Sequence, residues 1–436
     1  MRYFTSSQIV FIYFFNARVN AMNFSRRSIA IIQNQNCDPQ DFDKATKSVC
    51  IWQKRIALAT LISLLCTSSA GCNESTSSNK QNKTIDTTKS LSNNDSFFPI
   101  GFYHVSWKST PEQRLQALQR IAAAGFNTIH ASIVSPSDLE AYEKFLDEAQ
   151  KLGVKVISEF GVDRVYTINK FKNKPAVLGW NIADDVDNGK RTPKEICESH
   201  QQVKEIDPNR PTYISGYSSN IEQFTNCADT VGMQAYPIQF GKIYELPSIY
   251  PHIYLAYNAS KKHNRKLYAN LQTFSWLEEK PGEEKYLGMR APTSMEVRNM
   301  AYQSLLAGAK GIIFYAFQGD VWSLESHRSL WKGVKSLAPE IKQLSPTLLN
   351  GSFKQISTGV EGTLAGVWIY QNQATVVAIN TANNSSKSVS LTLPLTNVQS
   401  VSPMFANRPS GMVLEGSKLS GLIKPKDVHV YKLNLK

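Results

Sequence analysis

Cysteine is scarce where the chain reads as globular. Of the six present, Cys37, Cys50, Cys66 and Cys72 precede residue 73, which leaves Cys197 and Cys227 for the rest of the 436 residues. None is spaced as C-x-x-C and none stands at ligand spacing with histidine, so a zinc site is not expected. A basic stripe is also lacking. Lysines and arginines are spread along the chain, so the net charge of +13 does not indicate a nucleic-acid surface. An acidic polysaccharide or an anionic membrane surface suits that charge equally well. No glycine-rich phosphate loop follows the first strand candidate, which counts against a doubly wound nucleotide-binding sheet.

The N-terminal apolar run, Ile56 to Leu65, falls short of the roughly 20 residues that cross a bilayer. It follows Lys54 and Arg55 and precedes small residues ending in "SAGC", which reads as an export signal. The ending resembles the bacterial lipoprotein motif, with Cys72 as the lipidated residue, although Ser69 stands where that motif has an aliphatic side chain; an ordinary secretory signal is the alternative. Residues 1–50 have no clear pattern and read as an unstructured or spurious extension, with 51–72 as the signal. Residues 73–96 hold almost no apolar side chains and are expected to form a disordered tether. The resulting location is the cell envelope, as an outer-membrane lipoprotein or in the periplasm.

From Phe97 the sequence alternates between short apolar runs and amphipathic helical patterns. In "TPEQRLQALQRIAAAG", Leu115, Leu118, Ile121 and Ala122 share one helical face, with Thr110 placed to cap, Pro111 at the first position and Gln113 closing a capping box. In the next helix Leu139, Tyr142, Leu146 and Ala149 repeat the stripe. Eight strand candidates, each but the third followed by a helical pattern, predict a (β/α)8 barrel over residues 97–345. Such a barrel sets Cys197 near its top and Cys227 near its bottom, so two separate thiols are expected. Residues 346–436 change to short alternating runs such as "ATVVAIN" and "VHVYKLNL", which predict a small antiparallel β-sandwich.

Barrel active sites form at the C-terminal ends of the strands. Those ends carry His104 and Trp107 on the first strand, Glu159 and Asp163 on the third, Asp184 and Asp185 on the fourth, Tyr217 on the fifth, and Gln234 and Tyr236 on the sixth. The seventh offers Gln272, Phe274 and Trp276, and the eighth Tyr315, Gln318 and Asp320. Carboxylates among aromatics and amides suit a sugar: a proton donor for the leaving oxygen, rings to stack on pyranose faces, and amides for hydroxyls. Only His104 among the histidines falls at a strand end, so no metal is expected.

The run "KNKPAVLGWNIADDVDN", with "GMQAYPI", "NLQTFSW" and "RAPTSMEVRNMAYQSLLAGAKGIIFYAF", resembles clan A (β/α)8 glycoside hydrolases, β-galactosidase-like members in particular, over residues 97–436. The resemblance implies an acid/base glutamate closing strand four after a polar residue, and a nucleophilic glutamate closing strand seven. Here Asp185 stands for the acid/base, Asp184 for its neighbour and Val186 for the usual proline, while strand seven has Gln272 and its nearest acids are Glu278 and Glu279. The expected enzyme hydrolyses an O-glycosidic bond, with Asp185 as general acid and Glu159, Glu278 or Asp320 as second carboxylate. Asp184, one position earlier on a strand, is expected to point away from Asp185. His104, Tyr236, Gln272, Trp276, Tyr315 and Gln318 are the expected sugar contacts, no cofactor is implied, and the chain is expected to be a monomer. The alternative is a catalytically inactive barrel that binds a glycan at the cell surface through the same mouth.

Overall fold

The computed structural model of the chain describes residues 96–103, 108–133, 136–161, 163–238 and 246–436. The expected signal, the tether as far as residue 95, Cys72, and His104 and Trp107 lie outside the described residues. Eight parallel strands close into a barrel in sequence order: β1 Ile100–Tyr103, β2 Thr128–Ile133, β3 Lys155–Phe160, β4 Val177–Ala183, β5 Thr212–Gly216, β6 Thr230–Ala235, β7 Lys266–Gln272 and β8 Ile312–Tyr315. The helices are α1 Pro111–Ala123, α2 Leu139–Lys151, α3 Arg164–Phe171, α4 Pro193–Ile206, α5 Ile249–Lys262, the one-turn α6 Trp276–Glu279, α7 Ser294–Leu306, α8 Arg328–Lys335 and α9 Leu337–Asn350.

Local chemistry starts these helices where the sequence signals them. The Thr110 hydroxyl accepts from the Gln113 N–H while the Gln113 side chain accepts from the Thr110 N–H, and Pro111 opens α1. The same reciprocal pair opens α4 with Thr192 and Glu195, and α7 with Thr293 and Glu296. Each satisfies N–H groups that have no partner within the helix. The buried faces follow the 3.6-residue period, with Ala117, Leu118 and Ile121 on α1 and Tyr142, Phe145, Leu146 and Ala149 on α2. Inside the barrel Tyr103, Ile157, Leu178, Tyr213, Tyr268 and Ile313 pack together. Gly232 belongs to this packing, because a Cβ there would collide with the Tyr213 ring.

Two connections differ from expectation. A helix does follow β3: Asp163 caps α3, its carboxylate accepting the Tyr166 N–H at 2.8 Å, and eight residues are too few to display a clear period. Between β5 and β6 the chain instead makes two short 3-10 turns, Ser219–Gln223 and Thr225–Cys227. The second of these turns lies against α4 and brings the Cys227 sulfur within 3.3 Å of the Pro193 carbonyl oxygen. Cys197 and Cys227 are therefore joined as a disulfide, with Cα atoms 4.3 Å apart, rather than separated as two thiols. A full-length helix in this connection would have carried Cys227 away; the short turns do not.

The C-terminal strands form two antiparallel sheets, one of five strands in the order β13-β16-β11-β10-β9 and one of three, β12-β15-β14. These are β9 Ser352–Ile356, β10 Thr363–Tyr370, β11 Gln373–Asn380, β12 Lys387–Thr392, β13 Val398–Pro403, β14 Val413–Glu415, β15 Lys418–Ile423 and β16 Val428–Leu435. Val367, Val376, Leu391, Leu419 and Leu433 fill the space between the sheets. Helix α9 continues through Pro346 to Asn350, so the first sandwich strand begins at Ser352. Helix α7 lies between barrel and sandwich and is buried on every face from Glu296 to Leu306. Its polar side chains are answered from across the junction: Arg298 donates to the Val428 carbonyl and to Glu340, and Asn299 to the carbonyls of Asn380 and Lys426.

Candidate active site at the barrel mouth

The three aspartates after β4 divide into two kinds. Asp187 is buried and accepts N–H groups of Tyr217 and Ser218 and the Ser218 hydroxyl, which ties the β4 loop to the β5 loop. Asp184 and Asp185 open into the mouth. Strand β4 ends at Ala183, and Asp185 takes a left-handed φ of 48°, a conformation that aspartate tolerates better than most residues. This turn ends the strand's alternation. The two carboxylates consequently meet one donor, the Gln234 amide, at 3.3 Å from Asp184 and 2.7 Å from Asp185, instead of pointing apart. Asp184 also accepts from the Ser215 hydroxyl and from the Tyr103 hydroxyl.

Their electrostatics differ in degree. Solvent reaches Asp184 from the mouth, but protein encloses it on the other sides, and this burial, followed by the charges of Asp185 and Glu159, raises its pKa to about 7 against the lowering effect of the Tyr103 bond. Burial also raises Asp185, opposed by the Gln234 bond and by the Lys190 charge. Glu159 is raised by burial as well, while the Ser132 hydroxyl donates to it at 2.6 Å. The buried His130 lies 3.7 Å from Glu159, bonds Asn181 at 2.9 Å, and stacks on Tyr103 at 4.0 Å. Burial holds the Tyr103 hydroxyl neutral, and so able to donate to Asp184.

The strand-seven side is organised for structure. Gln272 is fully buried; its carbonyl accepts the Ile238 N–H, and its amide donates to the carbonyls of Ile238 and Phe274. Both its N–H donors are used and it is closed off from the cleft, so it does not meet a sugar hydroxyl, contrary to the sequence-based expectation. Glu279 is buried and accepts N–H groups of Asp320, Val321 and Trp322, whereas Glu278 pairs with His327 at 2.9 Å and Asp320 with Lys108 at 3.0 Å. Among the described residues, this side presents no carboxylate to the cleft. Tyr236 and Tyr315 lie 5.8 Å apart, with Phe274 edge-on to both and to Trp276. Trp276 has one face covered by Tyr286, which stacks on it at 5.3 Å. Gln318 is half-buried and bridges Ser323 through the backbone.

A cleft of about 330 Å³ opens beside the aspartates. Glu159, Asp184 and Asp185 line it, and so do Arg164, Lys190 and Arg191. Phe160 forms part of the wall, stacked on Trp180 at 5.5 Å and covered by the Arg164 guanidinium, also at 5.5 Å. Of the residues the sequence singled out, Asp184, Asp185, Glu159 and Gln234 come together, whereas Asp163 and Gln272 are held by backbone groups. Tyr103, Ser132, His130, Asn181 and Ser215 were missed, although a polar residue within a buried strand, as in "GWNIA" and "YISG", was the available signal. Among the described residues no group of three or more His, Cys, Asp or Glu is arranged to hold a metal ion.

No family model matches the chain, and no curated protein matches it. Solved structures do. An α-amylase from Geobacillus thermoleovorans, crystallised with acarbose, aligns with a TM-score of 0.56 and 13% identity over 78% of this chain and 99% of its own. An Anoxybacillus α-amylase aligns at 0.52 and 13% over 76% and 92%, and a γ-CGTase from an alkalophilic Bacillus clarkii at 0.53 and 10% over 79% and 71%. At such identities the likeness is one of fold. The chain carries the same kind of closed (β/α)8 barrel, followed by an antiparallel β-sandwich.

Proposed function

We propose that the protein is an exported glycoside hydrolase that cleaves an O-glycosidic bond, with Asp184 as the proton donor. The observation carrying this reading is the convergence of Asp184, Asp185 and Glu159 on one cleft, which lets Asp184 keep a proton near neutral pH. It revises the assignment from sequence, which gave that role to Asp185. The Asp185 charge holds the proton on its neighbour. Glu159, on a different strand but lining the same cleft, takes the proton of the incoming water. The glycosidic C–O bond breaks, the Asp184 proton passes to the leaving oxygen, and water supplies the hydroxyl at the anomeric carbon.

Carbohydrate as the ligand is supported by the fold shared with a barrel crystallised with acarbose. Export is supported by the disulfide, since such bonds persist in oxidising compartments, and anchoring through Cys72 by the signal-like segment before it. A second reading, a glycan-binding barrel without catalysis, is favoured by the strand-seven end, where Gln272 and Glu279 serve the backbone. Release of reducing ends from a panel of oligosaccharides, lost in Asp184→Asn, would establish the enzyme. Tight binding with no product over days would establish the binder.

A further inference from the structure

The cleft wall opposite in sign to the aspartates has no use in the mechanism so far. Arg164 begins α3, while Lys190 and Arg191 belong to the loop between Asp187 and α4, so two separate segments deliver three cations to one cleft. None of the three forms an ion pair with an acid among the described residues. Arg164 is half-buried, and its guanidinium is held below its ordinary pKa by burial and by repulsion from Arg191. Arg164 and Arg191 repel each other across this wall, and an anion bound between them would relieve that repulsion.

We infer that the substrate is an anionic saccharide, whose carboxylate or sulfate is held by Arg164 and Arg191, with Lys190 adding charge. This rests on the glycosidase reading and extends it to the substrate class. An anionic sugar would be repelled by Asp185 and Glu159 if its charge lay over them. Placing that charge on the arginine side orients the ring and leaves its glycosidic oxygen towards Asp184, whose raised pKa removes one of the three negative charges from the floor. Arginine suits the task because its planar fork matches both oxygens of a carboxylate or sulfate. Phe160 beneath Arg164 supplies an apolar face beside the charge.

The test compares binding and hydrolysis of an oligogalacturonate, the same oligosaccharide with its carboxylates reduced to alcohols, a sulfated oligogalactan and its desulfated form, using the whole protein. Preference of at least about tenfold for either charged form over its neutral partner, weakening as salt is raised and lost in Arg164→Gln and Arg191→Gln, is the expected result. The uronate and sulfate arms show which anion is used. Equal or better handling of the neutral partners overturns the inference while leaving the glycosidase reading intact, and so does a preference that survives both substitutions. Failure of the protein to bind or cleave any saccharide, charged or neutral, overturns both. Circular dichroism of the variants confirms that a lost preference is not a lost fold.

Discussion

Asp184 and Asp185 share the side-chain amide of Gln234, although neighbours on a strand would point to opposite faces. The left-handed Asp185 causes this, and it places two carboxylates where each raises the energy of the other's ionised form. Activity should therefore fall as pH rises through about 7, when Asp184 loses the proton it donates, and fall again at low pH, when Glu159 is protonated. A bell-shaped profile of kcat/KM, with the alkaline limb abolished along with activity in Asp184→Asn, is the expected outcome.

The same shift has a stability consequence of defined sign. A carboxyl raised to about 7 in the folded state, against about 4 when unfolded, binds its proton more firmly when folded, so stability is lost as pH climbs between those values. Asp184→Asn removes that loss. Its melting temperature should exceed that of the wild type at pH 8, and the gap should narrow towards pH 4.

Replacing Gln272 by glutamate would restore the residue type that the family resemblance places on strand seven. It should not restore a nucleophile. The new carboxylate cannot donate to Ile238 and Phe274, and it would be charged in a fully buried position. Each lost bond leaves a buried acceptor unsatisfied at about 1–3 kcal/mol, so chemical denaturation of Gln272→Glu should show a clear loss of stability with no gain in hydrolysis.

The disulfide joins residues 30 apart in sequence. Closing a loop of that length constrains the unfolded chain by about 3–4 kcal/mol. Denaturation under reducing conditions, or of Cys197→Ser paired with Cys227→Ser, should be easier by that order, with the cleft's ligand binding retained in the folded protein.

Glu340 joins the two halves of the molecule, accepting from Arg298, from the Tyr302 hydroxyl and from Arg408. It is 5% exposed, and removing its charge would strand the buried Arg298. Glu340→Gln should cost about 3–5 kcal/mol, measured as a shift in the denaturation midpoint.

Much of the architecture was legible in the sequence because the barrel repeats its signals: Thr110 with Gln113, Thr192 with Glu195, and the stripes on α1 and α2 all act over a few residues. What escaped depends on longer relationships. The short turns after β5 carry no strong local signal, yet they decide whether Cys197 meets Cys227. Likewise, one φ angle at Asp185 brings both carboxylates to the Gln234 amide, and composition is silent on it. Gln272 looked like a site residue because it closes a barrel strand, whereas the backbone atoms that occupy it come from Ile238, 34 positions earlier.

Beyond its first turn helix α7 has no side that water could wet, since one flank is covered by the barrel and the other by strands near the C-terminus. During synthesis on the ribosome this helix leaves the exit tunnel well before β10, β11 and β16 exist to cover it. The last portion of the barrel must wait in an unfinished state, its Arg298, Asn299 and Leu306 uncovered, until those strands follow. Arrival of β16, rather than completion of the eighth strand, is thus the event that lets this part of the molecule become native.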